Sequence, residues 1–207
     1  MAKSELPESP PRTDVAQILQ PEIRDYLRQF EDATSNAQHV VEGLTDEQLQ
    51  WQPGPDRWSI AQCFSHMNVT ADKYYPPIDK SMRLAWERGQ LGQGPYRHGF
   101  LMNKFIRMLE PPPRRSFRAP RPFAPRSRAV EDEIPNFFSH QDAIMNRVRE
   151  ANGLDLARVK MVSPVTRLLR MTLGQSFALL AAHERRHLWQ AARVRDEMER
   201  KEREQHQ

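Results

Sequence analysis

The chain has 207 residues, 38% hydrophobic and 28% charged, with a net charge of +4 from 31 basic and 27 acidic side chains. That size supports one domain with a single moderate core, and so small a positive excess gives no nucleic-acid footprint by itself. A lone cysteine, Cys63, excludes an intramolecular disulfide, and no apolar run reaches the roughly 18 residues that span a bilayer.

Residues 1–13, MAKSELPESPPRT, are polar and proline-rich. They lack the apolar core of a signal peptide, predict a disordered tail and leave the cytoplasm as the expected location. Val15 to Val41 favours a helix with a break or start at Pro21. Thr45 and Gln48 then form a capping box for one short turn, and PGPDRW (53–58) reads as a loop. A second capping box, Ser59 with Gln62, opens a long helix to about Arg88. Its apolar positions Ile60, Cys63, Phe64, Met67, Ala71, Tyr74, Ile78 and Met82 follow helical spacing, and His66 stands on the flank of that face. Beyond a glycine-containing loop, FLMNKFIRML (100–109) predicts a short helix, whereas the prolines of PPPRRSFRAPRPFAPRSR (111–128) forbid one. A third long helix is expected from about Ile134 to Ala151, carrying Phe138, Ile144 and Val148. Residues 152–169 read as a connection, and Thr172 with Gln175 caps a last helix of roughly 172–200.

No alternating strand pattern occurs, so less than about a tenth of the chain is expected in strands. The expected fold is all-α: one domain, 14–200, of four long helices, followed by a charged tail, 201–207. A long proline-rich crossover joins the second helix to the third and lets those two run parallel.

The last helix holds LLAAHERRHLWQ (179–190), an H-E-x-x-H string. At about 100° per residue the apolar stripe is Leu173, Phe177, Leu180, Ala191, Val194 and Met198. His187 falls inside it, His183 at its edge and Glu184 near its middle. Two imidazoles one turn apart on one face have chelating spacing, and His66 offers a third from the second helix. The alternative is an ordinary set of core or surface histidines. The protease reading fails downstream of the string: its extended form puts glycine at 190 and histidine at 193, where this chain has Gln190 and Arg193. Only about twenty residues remain beyond His187, with no returning element and no sheet upstream to build a peptide cleft.

RWSIAQCFSHMNVTADKYY (57–75) and SPVTRLLRMTLGQSFALLAAHERRHLWQAARV (163–194) resemble the second-helix and last-helix motifs of the DinB-like superfamily. The resemblance implies a four-helix bundle of up-down-down-up order, often dimeric, with a divalent metal held by three histidines. Matched residue by residue these are His66, His183 and His187. It also implies thiol-dependent S-transferases that use low-molecular-weight thiols as one activity of the family. The arginine-rich crossover and the tail RDEMERKEREQHQ (195–207) depart from the pattern.

Imidazole ligands suit zinc or nickel. Such an ion favours deprotonation of a water or a thiol, so hydrolysis and S-transfer are both open. Glu184 is a proton acceptor if it faces the open position; otherwise it orients a histidine, as Gln190 could. Ordinary histidine pKa values near ~6.5 would make occupancy fall below about pH 6. The rival is a non-enzymatic binding bundle with a structural metal, which a closed ligand shell would favour. Expected partners are a small-molecule substrate and a second copy of the chain, with no membrane.

Six arginines lie between 114 and 128, interleaved with Phe117 and Phe123. One reading is a nucleic-acid strap, another a segment that packs its phenylalanines on the bundle with its arginines in water. A third brings one or two arginines to the metal pocket to hold an anionic substrate. The second is preferred, so nucleic-acid binding is expected to be weak and salt-sensitive. Cys63, on the apolar stripe, reads as core rather than nucleophile. Trp58 and Trp189 are candidates for a pocket mouth.

Overall fold

The computed structural model describes residues 18–112, 119–126, 130–166 and 168–205. The expected N-terminal tail and the crossover residues Arg114, Arg115, Phe117, Arg118 and Arg128 lie outside them.

Helix α1, Pro21–Val41, starts on its proline, whose fixed φ and missing N–H suit a first helical position. Residues 18–20 are not helical, so Pro21 is a start rather than a break. Helix α2, Asp46–Gln50, and helix α3, Ile60–Glu87, each open on the expected capping box. In α3 the Gln62 N–H donates to Ser59 Oγ at 3.1 Å and the Ser59 N–H donates to Gln62 Oε1 at 2.9 Å. Helix α4 is Phe100–Leu109, and a single 3-10 turn, Arg121–Phe123, follows. Helix α5, Val130–Glu150, starts a turn earlier than expected. Helix α6, Leu173–Gln205, opens on the Thr172–Gln175 box and runs past residue 200. Its end is laced by i,i+4 pairs such as Arg200–Glu204 at 2.7 Å, which support an exposed helix.

Helices α1 and α3 each pack against both α5 and α6, so four long helices enclose an interior of two buried apolar clusters, and α4 lies on α6. Phe30, Phe64, Phe137, Phe177, Ile60, Ile78 and Ile144 are fully buried there. Between α1 and α6, Tyr26 meets Phe177 and Arg195 donates to the carbonyl of His39. Between α3 and α5, Asn68 bonds Glu133, Tyr75 bonds the His140 carbonyl, and Asp79 pairs with Arg147. Thr34 of α1 meets Gln141 of α5, and His66 of α3 meets His183 of α6. Among the described residues no helix is long and apolar enough to cross a membrane.

Two expectations are corrected. Phe137, not Phe138, takes the core position on α5; it meets Phe64 edge-on with ring centroids 5.0 Å apart, while Phe138 is half-buried. Adjacent residues differ by about 100° on a helix, so the choice between two phenylalanines is made by the neighbour across the interface. The connection after α5 contains a hairpin: β1, Lys160–Val162, pairs antiparallel with β2, Arg170–Thr172. Met161 faces Met171, both buried, which ties the loop to the core. Three residues are too few to print an alternation in the sequence.

The Phe64–Phe137 contact gives a first prediction. Phe64→Ala should lower unfolding stability by about 3–5 kcal/mol, read from urea denaturation. A loss under about 1 kcal/mol would place Phe64 outside the core.

Candidate metal centre

The boxes at Ser59 and Thr172 fix where α3 and α6 begin, and with that how each helix is rotated. His66 then faces His183 and His187 across the α3–α6 interface. Among the described residues these three are the one cluster of potential metal-ligating groups, with one nitrogen from each within 4.8 Å of the others. His66 Nε2 lies 2.9 Å from His183 Nε2. Ring centroids are 4.5 Å apart for His66–His187 and for His183–His187.

The outer nitrogens of two rings are already engaged. His66 Nδ1 donates to the Phe123 carbonyl at 2.6 Å, and His187 Nδ1 donates to Gln190 Oε1 at 3.2 Å. A neutral ring whose Nδ1 carries the proton presents a bare lone pair at Nε2. The lone pair of His66 Nε2 therefore turns toward His183 Nε2. A cation among the three nitrogens fits this donor set better than added protons would.

Burial lowers the pKa of all three rings. For His66 the Phe123 carbonyl partly opposes that fall. His183 is pushed well below its ordinary value by burial, then by His187, His66 and Arg186. His187 is likewise pushed well down, by burial first and then by His66 and Arg186, against the Gln190 hydrogen bond. Neutral rings able to ligate therefore persist in acid further than ordinary histidines would, and any loss of metal occupancy is expected below pH ~6.

The cluster opens onto a cleft of about 1310 Å³ lined by Trp58, His66, Tyr74, Phe123, His183 and His187, among others. His66 and His187 are buried, while His183 is partly exposed. The Trp58 ring sits 4.9 Å from that of His66 and 5.7 Å from that of His187, and Trp189 also lines the cleft. Cys63 is fully buried with its thiol pushed up by burial, which suits core packing.

Glu184 stands elsewhere. It is buried, does not line the cleft, and makes no described hydrogen bond to a histidine. Its carboxyl, with Oε2 unpartnered among the described residues, is raised to about 8 by burial against the Gln141 amide and Arg185. The reason is rotation: Glu184 lies on the middle of the α6 stripe and faces the bundle centre, while the cleft lies along the stripe's flank. Gln190 is on that flank, and so is Arg186, three residues after His183 and lining the cleft. Sequence reading missed Arg186, although the same angular count would have found it. It also missed the Phe123 carbonyl, a backbone group that no side-chain pattern reveals.

Of the crossover, the described part follows the packing reading. Phe123 is 5% exposed, Arg121 is exposed, and Arg126 pairs with Asp72 at 2.8 Å.

A helical bundle with three imidazoles gathered between two of its helices defines the class. The chain belongs to the DinB superfamily, whose sequence pattern it matches over residues 29–191. It is similar in structure to YfiT from Bacillus subtilis, described as a probable metal-dependent hydrolase with an unusual four-helix bundle topology. The TM-score is 0.56 at 14% identity, covering 92% of this chain and 94% of that one. No curated protein matches the sequence.

Proposed function

We propose that this protein is a metal-dependent enzyme acting on a small molecule in the cleft. His66, His183 and His187 would hold a divalent ion, zinc or nickel. The observation that carries this reading is the opening of the three imidazoles onto a cleft of about 1310 Å³, where a purely structural metal would favour a closed shell. The description of YfiT supports hydrolysis; a low-molecular-weight thiol in place of water would make the same site an S-transferase. When bound, the ion supplies Lewis-acid chemistry and favours deprotonation of a water or thiol.

The chain's own groups orient and exclude. The Phe123 carbonyl and Gln190 fix the tautomers of His66 and His187. Trp58 covers both rings on one side and keeps water from them. Glu184, protonated for much of the neutral range and turned from the cleft, has no proton to take from a substrate there. That placement supports the expectation of low or no general peptidase activity.

We read the helix order as up-down-down-up. The pairings support it: α1 runs with α6 (Tyr26–Phe177, His39–Arg195), and α3 runs with α5 (Asn68–Glu133, Asp79–Arg147). A homodimer and a cytoplasmic location complete the proposal.

The test is metal analysis and activity on one preparation, with activated esters for hydrolysis and a small thiol plus an electrophile for transfer. One activity should vanish on chelation, return with zinc or nickel, and be absent in His183→Ala. Activity that survives complete metal removal would overturn the reading. Casein digestion that a chelator abolishes and metal restores would show that Glu184 reaches the cleft after all.

A further inference from the structure

Among the described residues that line the cleft, the charged ones are Arg57, Arg186, Arg193 and a single acid, Asp56. Asp56, Arg57 and Arg193 are exposed, and Arg57 is engaged by Glu197 at 2.9 Å. Arg186 differs from them: it is 8% exposed and comes from the same α6 flank as His183 and His187. Its charge is felt by both of those rings. A guanidinium stays charged at any working pH, so the wall that carries the imidazoles also carries a fixed guanidinium with several N–H donors. The rest of the cleft mixes polar side chains such as Gln62 and Thr70 with an apolar part formed by Tyr74, Phe105, Leu109, Phe123 and Leu179. The residues of the apolar part are at most 7% exposed except Phe105, at 42%.

A charge in a partly water-excluded site attracts its counter-ion more strongly than it would in water, and a planar guanidinium prefers carboxylate or phosphate oxygens. The volume, about 1310 Å³, exceeds what a bare inorganic anion fills. We propose that the substrate is an amphipathic oxyanion, its carboxylate or phosphate held by Arg186 and its apolar body laid against Phe105, Leu109 and Phe123. This rests on the reading of the cleft as the substrate site, and makes Arg186 a substrate-binding residue.

The test is calorimetric titration of the full chain, both metal-stripped and zinc-loaded, with decanoate, decyl phosphate, decanol and decyltrimethylammonium. On the stripped protein at least one anion should bind about tenfold or more tighter than decanol and than the cation. The better of the two anions assigns the head group as carboxylate or phosphate ester. Arg186→Gln should abolish that preference while leaving zinc stoichiometry and decanol affinity in place, and Arg186→Lys should retain part of it. The comparison of ligands needs no variant, so it decides the matter even if Arg186→Gln does not fold. Equal binding of decanol and both anions to the unaltered protein, or an unchanged preference in folded Arg186→Gln, overturns the inference. A protein that prefers the anions yet binds no zinc would remove the metal and leave this inference standing. One that binds zinc without the preference would do the reverse.

Discussion

His66→Ala should lower zinc affinity on the order of 100-fold or more, because loss of even an outer partner of a metal-bound histidine typically costs ~10–100-fold and this change removes a ligand itself. His66 is the only member of the trio on α3, and its Nε2 lies 2.9 Å from His183 Nε2. Without it the ion would keep two imidazoles from a single helix face. His183→Ala and His187→Ala should have effects of the same order. Gln190→Ala, which frees the Nδ1 of His187, should fall at about tenfold. His98→Ala is the control: its ring is bonded to Thr172 and packed on Gly174, away from the trio. Competition against a chromogenic chelator gives the numbers. Should His66→Ala hold zinc as tightly as the parent, the three-histidine site is wrong.

Acid should destabilise the metal-stripped protein. The folded pKa values of His66, His183 and His187 all lie below the ordinary value, chiefly through burial. In the window below ~6.5 the unfolded chain therefore takes up protons on these rings that the folded chain does not, so their contribution to stability is full above that pH and falls as the pH drops, whereas Glu184, raised to about 8, works the other way. Each strongly lowered ring contributes up to about 1.4 kcal/mol per pH unit in that window. Zinc at about a thousand times its Kd should add roughly 4 kcal/mol at neutral pH. Urea midpoints at pH 7.5 and 5.5, with chelator and with zinc, report both effects. In the Glu184→Gln background, which removes that opposing group, stability of the stripped protein that stays flat or rises toward pH 5.5 would mean the rings are neither buried nor neutral.

Much of this was legible in the sequence. Capping boxes are local chemistry between residues three apart, so Ser59–Gln62 and Thr172–Gln175 could be read directly, and with them the starts of α3 and α6. Once those starts are known, the 3.6-residue period turns His66, His183 and His187 inward, and packing of α3 on α6 brings them together. Glu184 shows the limit of that reasoning. An inward-facing residue has several interiors to face, and only packing decides between the bundle centre and the cleft on its flank. Phe137 against Phe138 is the same problem, settled by the ring of Phe64. The hairpin of β1 and β2 was invisible because its strands are short and its pairing is set by Met161 and Met171 meeting over the core.

The central claim is that three imidazoles hold an ion that remains open to the cleft. X-ray absorption at the zinc edge of the loaded protein tests it most directly. The expected spectrum shows three histidine nitrogens near ~2.0–2.1 Å plus one solvent oxygen that exchanges when azide or a small thiol is added. Four protein ligands that resist exchange, or fewer than two imidazoles, would contradict it.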